Sequence, residues 1–259
     1  SCAICDTSIE TESITSRNKP TICTEFTCLF QHVEQGVCNT VPMSICPTTV
    51  ISDLRRNPAV CDLLVSLCYS AAKSERSSIV FDPFPPQYMK NNKKDIESVI
   101  STLNRLPSIA EMTKNVHSET ELEKKLGSEC YELLRFILTN QRKGILPLMY
   151  EKSLLDMKTP NQYLLVVDDP QKKKTFERLK KRFGSYFAFH GTRSECLHSI
   201  LRKGLVVGSG TNLQTSGSIY GSGIYLSPIL KTSLQFAKTS LFAWPRSIFN
   251  SNSLKFMVL

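Results

Sequence analysis

The chain has 259 residues, 41% of them hydrophobic and 21% charged, the balance of an ordinary globular protein with room for one large or two modest domains. Its longest apolar runs, such as residues 63–65 and 256–259, fall far short of the roughly 20 residues needed to cross a bilayer as a helix, so a transmembrane helix is excluded. Lys and Arg number 32 against 23 Asp and Glu, a net charge of +9 that would suit nucleic acid, acidic protein tails or a phosphate-bearing ligand.

In chain order, residues 1–46 are rich in Cys, Ser and Thr with little periodicity, which predicts a small loop-dominated module organised by something other than its own core. From Pro47 to about Tyr69, Val60, Leu63, Leu64, Leu67 and Cys68 recur at helical spacing and predict one packed helix. Residues 79–81 predict a short strand running into Pro83, Pro85 and Pro86, and 91–94 a polar turn. Ile96, Ile100 and Leu103 mark the next helix. A longer amphipathic region follows through Leu122, Leu126, Cys130, Leu133, Leu134, Ile137 and Leu138, with Gly127 as a candidate break.

Beyond Thr159 the texture changes. Residues 163–167 predict a strand, 172–183 a helix, and 186–189 a second strand that ends at His190-Gly191. Thr192 or Ser194 is placed to cap a helix through Cys196, Ile200 and Leu201 that stops at Gly204. A Gly- and Ser-rich loop over 208–223 leads into a short strand at 224–226, Pro228 opens a helix over 229–237, and 253–259 begins one more strand. Much of the positive charge lies in Lys172, Lys173, Lys174, Arg178, Lys180, Lys181 and Arg182, a spacing that fits the wet face of a helix with Phe176, Leu179 and Phe183 turned inward. That reading is preferred, and nucleic acid is not the expected partner.

Six of the ten cysteines fall in the first 46 residues. A core of this size needs no disulfide staples, and clustered Cys without a signal peptide read better as metal ligands in a reducing, intracellular compartment, cytoplasmic or nuclear. Cys2-x₂-Cys5 and Cys23-x₄-Cys28 give four thiolates in two short-spaced pairs, the arrangement of a closed, structural Zn²⁺ site. Cys38, Cys46 or His32 stand as alternatives for a member of the set, and buried free thiols are the competing reading. Cys61, Cys68 and Cys130 fall on apolar helical faces and read as core. Cys196 shares a helix face with Ile200 and is not expected to be a nucleophile. The start at Ser1, without initiator Met or leader, reads as a trimmed or partial chain.

His190-Gly191 at a strand end, then Gly221-Ser222-Gly223-Ile224-Tyr225, then Ser233 and Phe236, set polar and aromatic groups where packing alone does not demand them. Glycines at 221 and 223 permit close approach of backbone to a ligand, and Tyr225 offers a flat face to an aromatic ring. On spacing alone a structural His and a half-buried Tyr compete with this reading.

The stretches Phe187-Ala188-Phe189-His190-Gly191, 198–206 and 220–228 resemble the catalytic domain of the poly(ADP-ribose) polymerase family, in particular its mono-ADP-ribosylating sixth and eighth members, and the Cys-rich start resembles the region preceding that domain. The resemblance implies an α+β fold: a truncated, split-sheet ADP-ribosyltransferase domain over 159–259, behind a mostly helical region over 47–158 and the Cys-rich module over 1–46. It implies that His190 hydrogen-bonds the adenosine ribose of NAD⁺, that the Gly191 backbone pairs with the nicotinamide carboxamide, that Ser233 donates to the same amide, and that Tyr225 and Phe236 sandwich the nicotinamide ring. Phe236 stands where a Tyr is usual, so stacking is kept and a phenol is lost. A further catalytic position and the closing strands are expected beyond Leu259.

The expected activity is that of a glycosyltransferase acting on NAD⁺, moving one ADP-ribose to protein side chains, its own included. The alternative is an NAD⁺- or ADP-ribose-binding module with weak or no turnover. A zinc-dependent nucleic-acid module rests only on charge and the Cys pairs.

Overall fold

A computed structural model describes residues 50–139, 144–148, 161–166, 170–214, 219–238, 243–249 and 255–258. The chain divides into two units, Thr48–Leu165 with Gly184–Leu259, and Ser1–Pro47 with Val166–Phe183. The four cysteines of the predicted zinc set, Cys2, Cys5, Cys23 and Cys28, lie outside the described residues.

The larger unit opens with helix α1 (Val50–Arg56) and helix α2 (Pro58–Lys73). The single helix predicted here is two, because Pro58 removes a backbone donor and its ring disfavours helix at Asn57, where φ is −134°. α2 is the central element: Val60, Cys61, Leu64, Val65, Leu67, Cys68 and Ala71 are all buried. The strand predicted at 79–81 is instead a one-turn helix, α3 (Ser77–Val80), closed by Phe81 N–H donating to the Ser77 carbonyl. Ile79 and Phe81 carry β propensity, but burial of Val80 and Phe81 in the core decides the outcome.

A 3-10 turn at Pro86–Tyr88 leads to a minimal hairpin, β1 (Met89–Lys90) against β2 (Lys93–Lys94). Asn91 and Asn92 both have positive φ, 48° and 61°, the two-residue turn that Asn tolerates and that matches strand twist. Helices α4 (Ile96–Arg105), α5 (Ile109–Thr113), α6 (Glu119–Leu126) and α7 (Ser128–Thr139) follow. Asp95 and Ser118 cap α4 and α6, and Ser108 with Glu111 forms a reciprocal capping box on α5. The expected break falls at Gly127, whose φ of 79° ends α6.

These helices enclose one core with Leu54, Val99, Leu103, Met112, Leu122, Leu133, Leu134 and Ile137 fully or almost fully buried. Trp244, the chain's one tryptophan, is buried in the same core and donates from Nε1 to the Leu103 carbonyl at 3.1 Å. Nearby, Asp62 on α2 accepts from Ile248 N–H at 3.1 Å and from the Ser66 and Ser247 hydroxyls, which fastens the 243–249 turn to the helices. Burial raises the Asp62 carboxyl above its ordinary value, and the three donors oppose that rise.

Strands β3 (Gly144–Leu148) and β4 (Gln162–Val166) form a two-stranded sheet. β5 (His190–Thr192), helix α9 (Ser194–Lys203), helix α10 (Leu230–Leu234) and β6 (Phe256–Val258) complete the unit, with β5 antiparallel to β6. The strand predicted at 186–189 begins where it was expected to end: Tyr186 and Phe187 are exposed and unladdered, and pairing starts at Phe189. Residues 224–226 are likewise not a strand; only Ser227 bridges to Phe189. The α9 cap residue is Arg193, not Thr192 or Ser194, because Ser194 is already helical and its hydroxyl is engaged with Ser70.

Of the smaller unit, the described element is helix α8 (Pro170–Phe183). Its cations are exposed as expected, but so are Phe176, Leu179 and Phe183. The predicted inward face is therefore corrected: Lys180 sits over the Phe176 ring and Arg182 over the Phe183 ring instead of protein covering them. No described helix is long and apolar enough to cross a membrane.

Candidate functional site around His190 and Gly191

β5 is held on one side by β6, with His190 opposite Val258, Gly191 opposite Met257 and Thr192 opposite Phe256. Just before it, Phe189 and Ser227 exchange two backbone hydrogen bonds of 2.8 and 3.0 Å. This bridge brings the 219–227 loop alongside β5. His190 Nδ1 then lies 3.0 Å from the Tyr225 carbonyl, and because a carbonyl only accepts, Nδ1 carries the proton and Nε2 keeps its lone pair.

Gly191 packs on α10. A Cβ at this position would lie 1.8 Å from the Ser233 carbonyl oxygen and 3.0 Å from the Ala237 nitrogen, so no other residue fits this backbone approach. Ser233 is buried, and its hydroxyl donates to the Phe189 carbonyl at 2.8 Å. That carbonyl also accepts from Ser227 N–H, so both of its lone pairs are used.

Tyr225 presents a partly exposed ring while its phenol is engaged: the hydroxyl donates to the Gly221 carbonyl at 2.6 Å and accepts from Tyr220 N–H at 3.1 Å. Gly221 has φ of 91°, which turns the loop back under the phenol. The ring beside Tyr225 is that of Tyr220, centroids 6.3 Å apart. Phe236 follows α10 within one turn of Ser233, with its ring half exposed. The sequence-predicted His190, Gly191, Tyr225 and Ser233 thus come together from three segments, and Phe236 borders them.

Cys196 is half-buried, and burial first, then Glu195, pushes its thiol up; a group held as thiol is a poor nucleophile. Among the described residues no group of three or more His, Cys, Asp or Glu could hold a metal ion.

Sequence reasoning missed His198 and Arg202. Both are buried on α9, and Arg202 Nη1 reaches His198 Nδ1 at 3.1 Å. Burial, followed by the Arg202 charge, keeps the His198 imidazole well below its ordinary range, and burial lowers Arg202 to about 10. The readable signal was the spacing Ser194-x₃-His198-x₃-Arg202, polar residues recurring on one helical face.

Residues 158–243 match the poly(ADP-ribose) polymerase catalytic domain, and residues 52–138 match the ARTD15 N-terminal domain. Over 231 residues, 85% of this chain, it is 37% identical to protein mono-ADP-ribosyltransferase PARP8 of Mus musculus and of Homo sapiens. Identity to protein mono-ADP-ribosyltransferase PARP16 of Mus musculus is 27% over 197 residues, 70% of this chain and 56% of that protein. The match spans only 26% of the PARP8 length. Together, the catalytic-domain match and the identity to these relatives place residues 158–243 in the poly(ADP-ribose) polymerase family.

Proposed function

We propose that the protein transfers a single ADP-ribose unit from NAD⁺ to protein side chains, its own among them, and releases nicotinamide. The observation that carries this reading is the seat of Gly191 on the Ser233 carbonyl, a backbone approach that leaves no room for a side chain, one residue after the His190 ring bonded to Tyr225. In the reaction the bond between the ribose carbon and nicotinamide breaks, its electron pair leaves with nicotinamide, and an acceptor side chain bonds the same carbon and gives up its proton. The intervening sugar is oxocarbenium-like, so the protein's task is to grip the departing ring and orient the ribose.

His190, with Nδ1 committed to Tyr225, offers Nε2 as an acceptor to a ribose hydroxyl. The Gly191 peptide pairs with the carboxamide. Ser233, whose hydroxyl donates to Phe189 in this structure, turns that donor to the carboxamide or accepts from it. Tyr225 and Phe236 supply faces for the nicotinamide ring, and with Phe236 in place of a Tyr that side of the stack is apolar. In the N-terminal segment, Cys2, Cys5, Cys23 and Cys28 retain the structural-zinc reading from their spacing, which metal analysis of the purified chain tests.

The test is mass spectrometry of the full-length protein after incubation with NAD⁺. Increments of one ADP-ribose per modified residue, with free nicotinamide, support the reading. Saturable NAD⁺ binding with no adduct replaces it with the binding module.

A further inference from the structure

Ser194, His198 and Arg202 stand at i, i+4 and i+8 and form one stripe of α9. They are 4%, 0% and 7% exposed. A helical stripe buried to this degree is ordinarily apolar. This one is polar along its length, and each member reaches a different part of the helical body. Ser194 Oγ lies 2.7 Å from Ser70 Oγ on α2. His198 Nε2 lies 3.0 Å from the Pro83 carbonyl, after α3. Arg202 Nη2 donates to the Ile137 carbonyl in the last turn of α7 at 3.0 Å.

The three are mutually consistent. The Pro83 carbonyl only accepts, so His198 is protonated on Nε2 and its Nδ1 lone pair accepts from Arg202 Nη1, which also donates to the His198 carbonyl at 2.9 Å. Ile137 contributes one of the last-turn carbonyls that a helix leaves unbonded, and a cation there meets the negative end of α7. Arg202 Nε is buried with no partner among the described residues. A buried guanidinium with an unsatisfied nitrogen is costly where packing alone is the purpose. An apolar stripe tolerates axial sliding and rotation of the helix, whereas three directional bonds to three elements allow one register.

α9 starts three residues after Gly191. We propose that Ser194, His198 and Arg202 are positioning residues: they fix the register of α9 on the helical body and thereby hold His190 and Gly191 against Tyr225 and Ser233. The consequence for turnover rests on the NAD⁺ reading of that site.

The experiment compares Arg202→Met and His198→Gln in the full-length protein, with Met112→Ala as a control that destabilises the core on α5, which holds no partner of the stripe. Steady-state NAD⁺ kinetics and amide hydrogen exchange over 189–193 are measured for each. Arg202→Met is expected to raise KM for NAD⁺ about tenfold, the scale of a small misplacement of binding groups, and to quicken exchange at 190–192. His198→Gln, which keeps a donor for Pro83, retains most of the wild-type KM. Met112→Ala lowers Tm and leaves KM unchanged. The proposal is overturned if Arg202→Met leaves KM and the 190–192 exchange at wild-type values and activity merely follows the folded fraction. If the wild-type protein neither binds nor turns over NAD⁺, the functional reading fails, and the exchange data still decide whether the stripe holds β5.

Discussion

His190 donates from Nδ1 to the carbonyl of Tyr225 across 3.0 Å, which fixes both the tautomer of the imidazole and the distance between β5 and the 219–227 loop. One ring nitrogen assembles the site, and under the proposed function the other accepts from a ribose hydroxyl. His190→Asn separates these roles, because the Asn amide can still donate to Tyr225 but offers no acceptor at the Nε2 position. NAD⁺ affinity, read by calorimetry, is expected to fall about tenfold, the worth of one hydrogen bond, with Tm nearly unchanged.

Gly191→Ala is the severe case. A methyl group 1.8 Å from the Ser233 carbonyl oxygen must push β5 and α10 apart. We expect a loss of stability of about 1–3 kcal/mol together with loss of measurable NAD⁺ binding, checked by urea unfolding and calorimetry on the same sample.

Asp62 ties the 243–249 turn to α2 through Ser66, Ser247 and Ile248. Asp62→Asn turns one acceptor oxygen into a donor facing another donor, and the cost is expected at about 1–3 kcal/mol. Trp244 lies in the same segment with its indole bonded to Leu103, so its fluorescence reports the change directly: the urea midpoint falls and the folded-state emission shifts to the red.

His198 sets an acid limit. Its folded imidazole titrates well below the ordinary 6.5, first through burial and then through the Arg202 and, more weakly, Lys94 charges, with the Pro83 carbonyl opposing. A base depressed in the folded state contributes stability that is present above about pH 6.5 and is lost as pH falls toward the folded value. Urea midpoints at pH 7.5 and 5.5 are expected to differ in wild type and to converge in His198→Gln. Asp62, raised in the fold, has the opposite sign, but it is common to both proteins and drops out of the comparison.

Much of the helical body was legible because its signals are local. The Ile96, Ile100, Leu103 spacing, the break at Gly127 and a polar turn starting at Asn91 need no partner to be read, although Lys93 and Lys94, read as part of that turn, pair as β2. What failed depended on tertiary context. Residues 79–81 look like a strand until the core buries Val80 and Phe81 in a single helical turn, and 186–189 look like a strand until pairing begins at Phe189. In α8 the apolar spacing is present, yet Phe176 and Phe183 stay exposed, each with a neighbouring cation over its ring.

At the site, the residue types and their order were readable, but the means of assembly were not. Nothing local tells that Gly191 lies on the Ser233 carbonyl, or that the Tyr225 phenol is spent on its own loop at Gly221 and Tyr220. The α9 stripe was overlooked because apolar periodicity is the usual guide to a buried face, and this face is polar.

The most direct test of the account is transfer of label from adenylate-labelled NAD⁺ by the full-length protein, alongside His190→Ala and Tyr225→Ala. One ADP-ribose per modified residue, abolished in both variants while each remains folded, is the predicted result. Transfer that survives both substitutions, or growth of polymer on a single residue, would contradict it.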